Sequence, residues 1–224
     1  MTGVAGASIN LQNKGSFIAI NDGSTTNVFK NIVIEGATTA AAGRAGVQIQ
    51  NATISNCVIR NGNGWLGNLM VEGVDITGSS IYSDFGTSAY RGICVGGGTC
   101  AISNSYLKAY INSSKTTSTL SNVSVDYLQA QATTATIILS GTIALRGALV
   151  GFNTSITNGS TVQFKSGCVL DCTGNISSAW WGTKTIIVED NVTIKPYGGG
   201  APVPIPPGTY TQYKFNRSGE FIPQ

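Results

Sequence analysis

Arg60, Tyr106 and Lys108 are the side chains in this sequence best suited to chemistry. β-Elimination from a uronate needs a cation to neutralise the carboxylate and a base to take the neighbouring proton. Arg60 or Lys108 suits the first role, and Tyr106 or Lys108 the second. Other chemistries lack their parts. The chain has no histidine, which excludes a Ser-His-Asp or Cys-His centre. Its 10 acids are scattered from Asp22 to Glu220, without a carboxylate pair at the roughly 5–10 Å used in glycoside hydrolysis. No metal and no cofactor is expected, because the five cysteines show no C-x-x-C spacing. Cys57 reads as a small buried hydrophobe. Cys94 and Cys100 flank the flexible Val-Gly-Gly-Gly-Thr and could close a disulfide in an oxidising compartment. Cys168 and Cys172 lie about 13 Å apart on an extended strand, too far for a mutual bridge.

Whatever positions these groups is a repeat. Ile54-Ser55-Asn56-Cys57-Val58-Ile59 spells an aliphatic, then Asn or Gly two residues later, then another aliphatic after three more. The spelling recurs at Phe29–Ile34, Val71–Ile76, Ile102–Leu107 and Leu120–Val125. Copies 17 to 31 residues apart suit a solenoid. Each copy reads as two short strands meeting at a tight corner, where Asn or Gly tolerates a left-handed backbone. The register predicts a corner ladder of Asn31, Asn56, Asn104 and Asn122, with Gly73 filling the coil between, each amide donating to the next coil. It also predicts a core of Ile54, Ile59, Val71, Ile76, Ile102, Leu107, Leu120 and Val125. Longer intervals mark insertions at 38–44 and 83–98.

Composition agrees with many strands and tight turns. Charged residues make up 10% of the 224, far below the roughly 25% usual in soluble domains. The net charge of +3 comes without a basic run, so nucleic acid is not an expected partner. No apolar stretch is long enough for a membrane helix. Residues 1–6 lack the basic and apolar regions of a signal peptide. The chain therefore reads as processed, or as leaving its cell at lysis, as a virion component does.

Residues 1–197 are expected to form a β-helix with an N-terminal cap. Residues 198–224 are expected to form a Pro/Gly-rich arm and a cap strand, since proline cannot enter a central strand. Aligned on their corners, the copies put Glu35, Arg60, Thr77, Lys108 and Asp126 in one outward column, with Val33, Val58, Asp75, Tyr106 and Ser124 beside it. With coils about 4.8 Å apart, Arg60, Asp75, Tyr106, Lys108 and Asp126 share a patch. Opposite charges on adjacent coils are foremost ordinary cross-strand pairs. Tyr82, Tyr90, Arg91 and Tyr110 fall in or near the longest insertion. Flat aromatics beside polar groups suit sugar rings, so the expected ligand set is Asp75, Tyr82, Tyr90, Arg91, Tyr106, Lys108 and Tyr110.

With these corners in place, the chain resembles the right-handed parallel β-helices of the pectate-lyase-like superfamily over residues 17–195. The stretch Gly167–Asn175 is similar to the repetitive coils of bacterial adhesins and passenger domains, and phage tailspikes share the scaffold. The resemblance implies an all-β, single-stranded right-handed parallel β-helix. It implies a secreted, cell-surface or virion protein in contact with a glycan or cell-surface polysaccharide, with a homo-oligomer possible. The enzymatic signatures of the superfamily, clustered aspartates with Gly-His-Gly or an acidic calcium face, are not matched. A structural or adhesive element without catalysis is thus the leading expectation. A polysaccharide lyase using Arg60, Tyr106 and Lys108 is the alternative, and a fragment of a larger shaft is a third.

Overall fold

A computed structural model describes residues 2, 7–21, 25–39, 46–60, 63–64, 69–82, 92–95, 99–113, 117–130, 136–145, 161–173, 185–211, 213–215 and 220–223. The fold is a β-solenoid of stacked parallel strands. The first stack, sheet I, pairs Phe29 with Ile54, Ile54 with Ile76, Ile76 with Ile102 and Ile102 with Leu120. It continues through Leu139 and Phe164 to Val188. Sheet II, the strands after the corner, stacks Ile34 on Ile59 and Ile59 on Ile81. Sheet III stacks Phe17, Val47, Leu69, Ile93, Ile111 and Leu128. Alternate residues of each strand point inward, as a period of two requires. Ile54, Ile59, Ile76, Ile102, Leu120 and Val125 are all buried in one continuous core. The expected core members Val71 and Leu107 lie on strands, and their side chains fall outside the described set.

The corner ladder is real, with two corrections. Asn31, Asn56, Asn104 and Asn122 hold φ values of 57, 51, 47 and 52°. Gly73 is not among them. The coil between Asn56 and Asn104 turns at Gly78, whose N–H donates to Ser103 O, just as Asn56 N–H donates to Thr77 O. That copy is therefore Ile76-Thr77-Gly78-Ser79-Ser80-Ile81, and the interval between rungs evens out. Gly73 sits at a separate corner, joining sheet III to sheet I, opposite Asn51. The second correction concerns direction. The Asn122 side chain accepts through Oδ1, from Thr142 N at 3.0 Å. This carbonyl reaches over the next corner, where a Cβ on Gly141 would lie 2.2 Å from it. On Gly78 a Cβ would lie 2.6 Å from Asn56 Oδ1. At Gly78 and Gly141 the asparagine carbonyl of the preceding coil occupies the space a Cβ would need.

Just inside the corner runs a second, unanticipated polar line. Ser79 Oγ accepts from Cys57 N at 3.1 Å and donates to Thr77 O at 2.9 Å. Ser105 Oγ accepts from Ser79 N at 3.2 Å and donates to Ser103 O at 2.7 Å. Both hydroxyls are buried and satisfy backbone groups that the tight corner turns away from the sheets.

After Val188 the stacking direction changes. Val203–Pro204 pairs antiparallel with Thr193–Lys195, and Gly208–Tyr210 pairs antiparallel with Thr185–Val188. Ile205, 4% exposed, plugs the end of the core, its N–H on Val192 O at 2.9 Å. The prolines of this segment have no N–H to offer a further strand. Tyr213–Phe215 and Phe221–Pro223 form a small hairpin, with Phe221 packed edge-on against Tyr210 at 4.9 Å. Among the described residues no helix is long and apolar enough to cross a membrane.

Candidate functional site

The connections between sheets are unequal. From III to I the chain turns at Asn51 and Gly73, and from I to II it turns at the Asn/Gly ladder. The longest connections leave sheet II, while residues 20–26 join sheet III to sheet I. Residues 61–68 separate Arg60 from Leu69, and residues 83–91 separate Tyr82 from Gly92. Only Ala109 separates Lys108 from Tyr110, where one strand bends directly from sheet II into sheet III. Thr38–Thr39 pairs with Asn63–Gly64 in a small separate sheet at this edge. The II–III edge is thus where the rigid solenoid displays extra chain, and such loops are the usual seat of recognition.

Beside that edge runs the outward column of sheet II. Asn10 pairs with Glu35, Glu35 with Arg60, and Tyr82 with Lys108. Ile59 pairs with Ile81, which sets Arg60 next to Tyr82, and Leu107 pairs with Val125 before the register shifts. In this register Tyr82 stands where Thr77 was expected, because the corner of that coil is Gly78. In the neighbouring column Tyr106 pairs with Ser80 and Ser124. Asp75 is not in it. Asp75 lies on sheet I between Thr53 and Ala101, before the corner rather than after it. Tyr110 lies across the II–III edge, paired with Gly92 and Tyr127. The structure thus aligns Arg60, Tyr82, Tyr106, Lys108 and Tyr110 along one edge and separates Asp75 from them. Tyr90 and Arg91 lie outside the described residues.

The first coils of the column are electrostatically satisfied. Glu35 accepts from Asn10 Nδ2 at 2.9 Å and from Arg60 Nε at 3.0 Å. Arg60 uses only its inner nitrogen in this pair. Its side chain is 49% exposed, against 19% for Glu35, which leaves the outer edge of the guanidinium towards solvent. A planar fork held from behind is well placed for a bidentate acceptor. The pair itself, largely in water, contributes little stability.

A second charged cluster serves structure. Glu189 accepts from Lys165 Nζ, from Gln163 Nε2 at 2.8 Å and from Ser166 N at 2.9 Å. It joins two stacked wide turns, Lys165–Cys168 and Glu189–Val192, which the pairing of Phe164 with Val188 brings together. The sequence signal for it lies in aligning those two turns. The Lys165 ammonium, then the Ser166 N–H, holds the Glu189 carboxyl down from 4.5 to about 2. A depressed carboxyl stabilises the fold above its ordinary range and loses that effect as pH falls through the native value. The thermal midpoint is expected to drop between about pH 4.5 and 2 more in the native protein than in Glu189→Gln, which calorimetry over that window measures. Equal slopes would show the clamp to be energetically silent.

The described thiols are sequestered. Cys57, Cys100, Cys168 and Cys172 are free and buried. Burial pushes the thiols of Cys100, Cys168 and Cys172 up to about 12, whereas a reactive cysteine is depressed and accessible. The Cys94–Cys100 bridge that an oxidising compartment would allow is not formed, Cys100 being free. Cys94 pairs with Met70 and Cys100 with Val74, four residues apart along one strand. That separation, on the order of 10 Å, exceeds disulfide reach. Among the described residues no group of three or more His, Cys, Asp or Glu is placed to hold a metal ion. Comparison of the chain with protein-family models, curated proteins and solved structures finds no match in any of the three.

Proposed function

We propose that this protein is a right-handed β-solenoid acting as a structural or adhesive element of a secreted, cell-surface or virion protein. Its II–III edge contacts a glycan without turning it over. The observation that supports this most is the coincidence of two features along one edge. The longest connections leave the solenoid there, and the strands beside them carry Arg60, then Tyr82, then Tyr106, Lys108 and Tyr110 on three consecutive coils. A solenoid repeats its strands at about 4.8 Å, so an extended polymer lying along the axis would meet a cation on one coil and phenols on the next two. Phenol rings supply flat apolar area and a hydroxyl, which suits pyranose faces and rims. Against turnover stand the absence of histidine from the sequence and the engagement of Glu35 with Arg60 and Asn10. A second reading, uronate elimination with Arg60 as carboxylate clamp and Lys108 as base, rests on their sharing one outward column.

The two elements of the site can be separated by experiment. Replacing residues 83–91 by the single-residue link seen between Lys108 and Tyr110 should preserve the far-ultraviolet dichroism and abolish retention on the polysaccharides that bind the native protein. Unchanged retention by a folded variant would place recognition elsewhere.

A further inference from the structure

The segment that closes the end of the solenoid holds on by little, a feature independent of the glycan reading. Residues 203–210 run antiparallel across the last coil, first along Thr193–Lys195 and then along Thr185–Val188. From Ala201 to Thr209 every residue is exposed except Ile205, so a single side chain anchors this strap in the core. Residues 202, 204, 206 and 207 are proline, which leaves Val203 and Ile205 as the only backbone donors between 202 and 207. The strap is joined to the coil through exposed Gly198, Gly199 and Gly200, the first two with φ of 77 and 81°. Such a linker swings with little conformational resistance. At the far end Tyr210 donates to Pro206 O at 2.8 Å and packs on the ring of Phe221.

Beneath the strap lies a regular edge. Thr185–Val188 pairs in parallel with Thr161–Phe164 on its other side, and Ile186, Val188, Val192 and Ile194 share the core with Ile205. A bared edge over an apolar core is a template for a further strand. The strap itself shows that this edge takes an antiparallel partner. Two solenoids set tail to tail about a two-fold axis present their last coils to each other antiparallel as well. With the axis at Ile187, Ile186 of one copy stands opposite Val188 of the other, apolar on apolar. We propose that residues 203–210 are an autoinhibitory strap: they keep the chain single by occupying the edge that, once bared, pairs with the last coil of a second copy.

Light scattering and hydrogen exchange on the full chain test this. The native protein should have the mass of one chain, 23.1 kDa. Its Ile205 and Thr209 amides should exchange at least about tenfold faster than those of Thr136–Leu139, as a segment that opens locally does. Ile205→Asp sets a charge where the plug enters the core, and Tyr210→Ala removes both holds at the far end. Both should shift the mass towards two chains as concentration rises, with unchanged dichroism. A synthetic peptide of residues 201–211 in excess should reoccupy the edge and return the mass to 23.1 kDa. A native mass other than one chain overturns the proposal. So do folded variants that stay single at every concentration, that grow beyond two chains, or that the peptide leaves paired. If neither variant folds, strap amides exchanging as slowly as the core overturn it.

Discussion

Ile102→Ala is expected to cost about 2–5 kcal/mol, the range for large-to-small changes in a closed core. Ile102 is 1% exposed and stacks between Ile76 and Leu120. Its neighbours are held by parallel ladders on both sides, so the coil cannot collapse into the space that truncation leaves. Each coil touches only the coils above and below it. The loss should therefore appear first as early unfolding of the rungs around residue 102, visible in hydrogen exchange as lost protection from Ile76 to Leu120. Chemical denaturation gives the total. A loss below about 1 kcal/mol would mean the core is loosely packed there.

The second large effect is at Gly141. Gly141→Ala should destabilise by about 2–3 kcal/mol, combining about 1–2 for a left-handed non-glycine residue with about 1 for a displaced hydrogen bond. The backbone there has φ +61°, and the added Cβ would lie 2.2 Å from Asn122 Oδ1. Moving the amide aside breaks its bond to Thr142 N. Asn122→Gly keeps the conformational freedom of its own corner and empties the contested space. In that background Gly141→Ala should cost less by at least the hydrogen-bond share, a coupling that a double-mutant cycle measures. Additive effects would mean that the carbonyl does not fill the Cβ space.

Much of this architecture was legible in the sequence. Local spelling decides the corner, since only Asn and Gly accept its dihedral angles. Asn31, Asn56, Asn104 and Asn122 therefore fell in one line. The error at Gly73 has a physical cause. Two described coils make two left-handed corners each, Asn51 with Asn56 and Gly73 with Gly78, and Val71-Glu72-Gly73-Val74-Asp75-Ile76 has the same spelling around the other one. That slip of five residues moved Asp75 from sheet I to sheet II on paper, and put Thr77 where Tyr82 stands. The residue after the corner does not separate the two, since Val74 after Gly73 is as buried as Val123 after Asn122. The Lys165–Glu189 clamp was invisible for another reason: its partners come from turns 24 residues apart, related only through the rung that joins Phe164 to Val188. The Cys94–Cys100 bridge failed because pairing to one strand at Met70 and Val74 holds them apart. Flexibility in Gly-Gly-Gly said nothing of that constraint.

The measurement that bears most directly on recognition without turnover is incubation of the intact protein with a panel of neutral and acidic polysaccharides. Binding heat and the absorbance of unsaturated uronate are followed together. Saturable binding is predicted, weakened by Tyr106→Ala at unchanged thermal stability, with flat absorbance throughout. Absorbance that grows with time and disappears in Lys108→Ala would contradict the account and establish a lyase in its place.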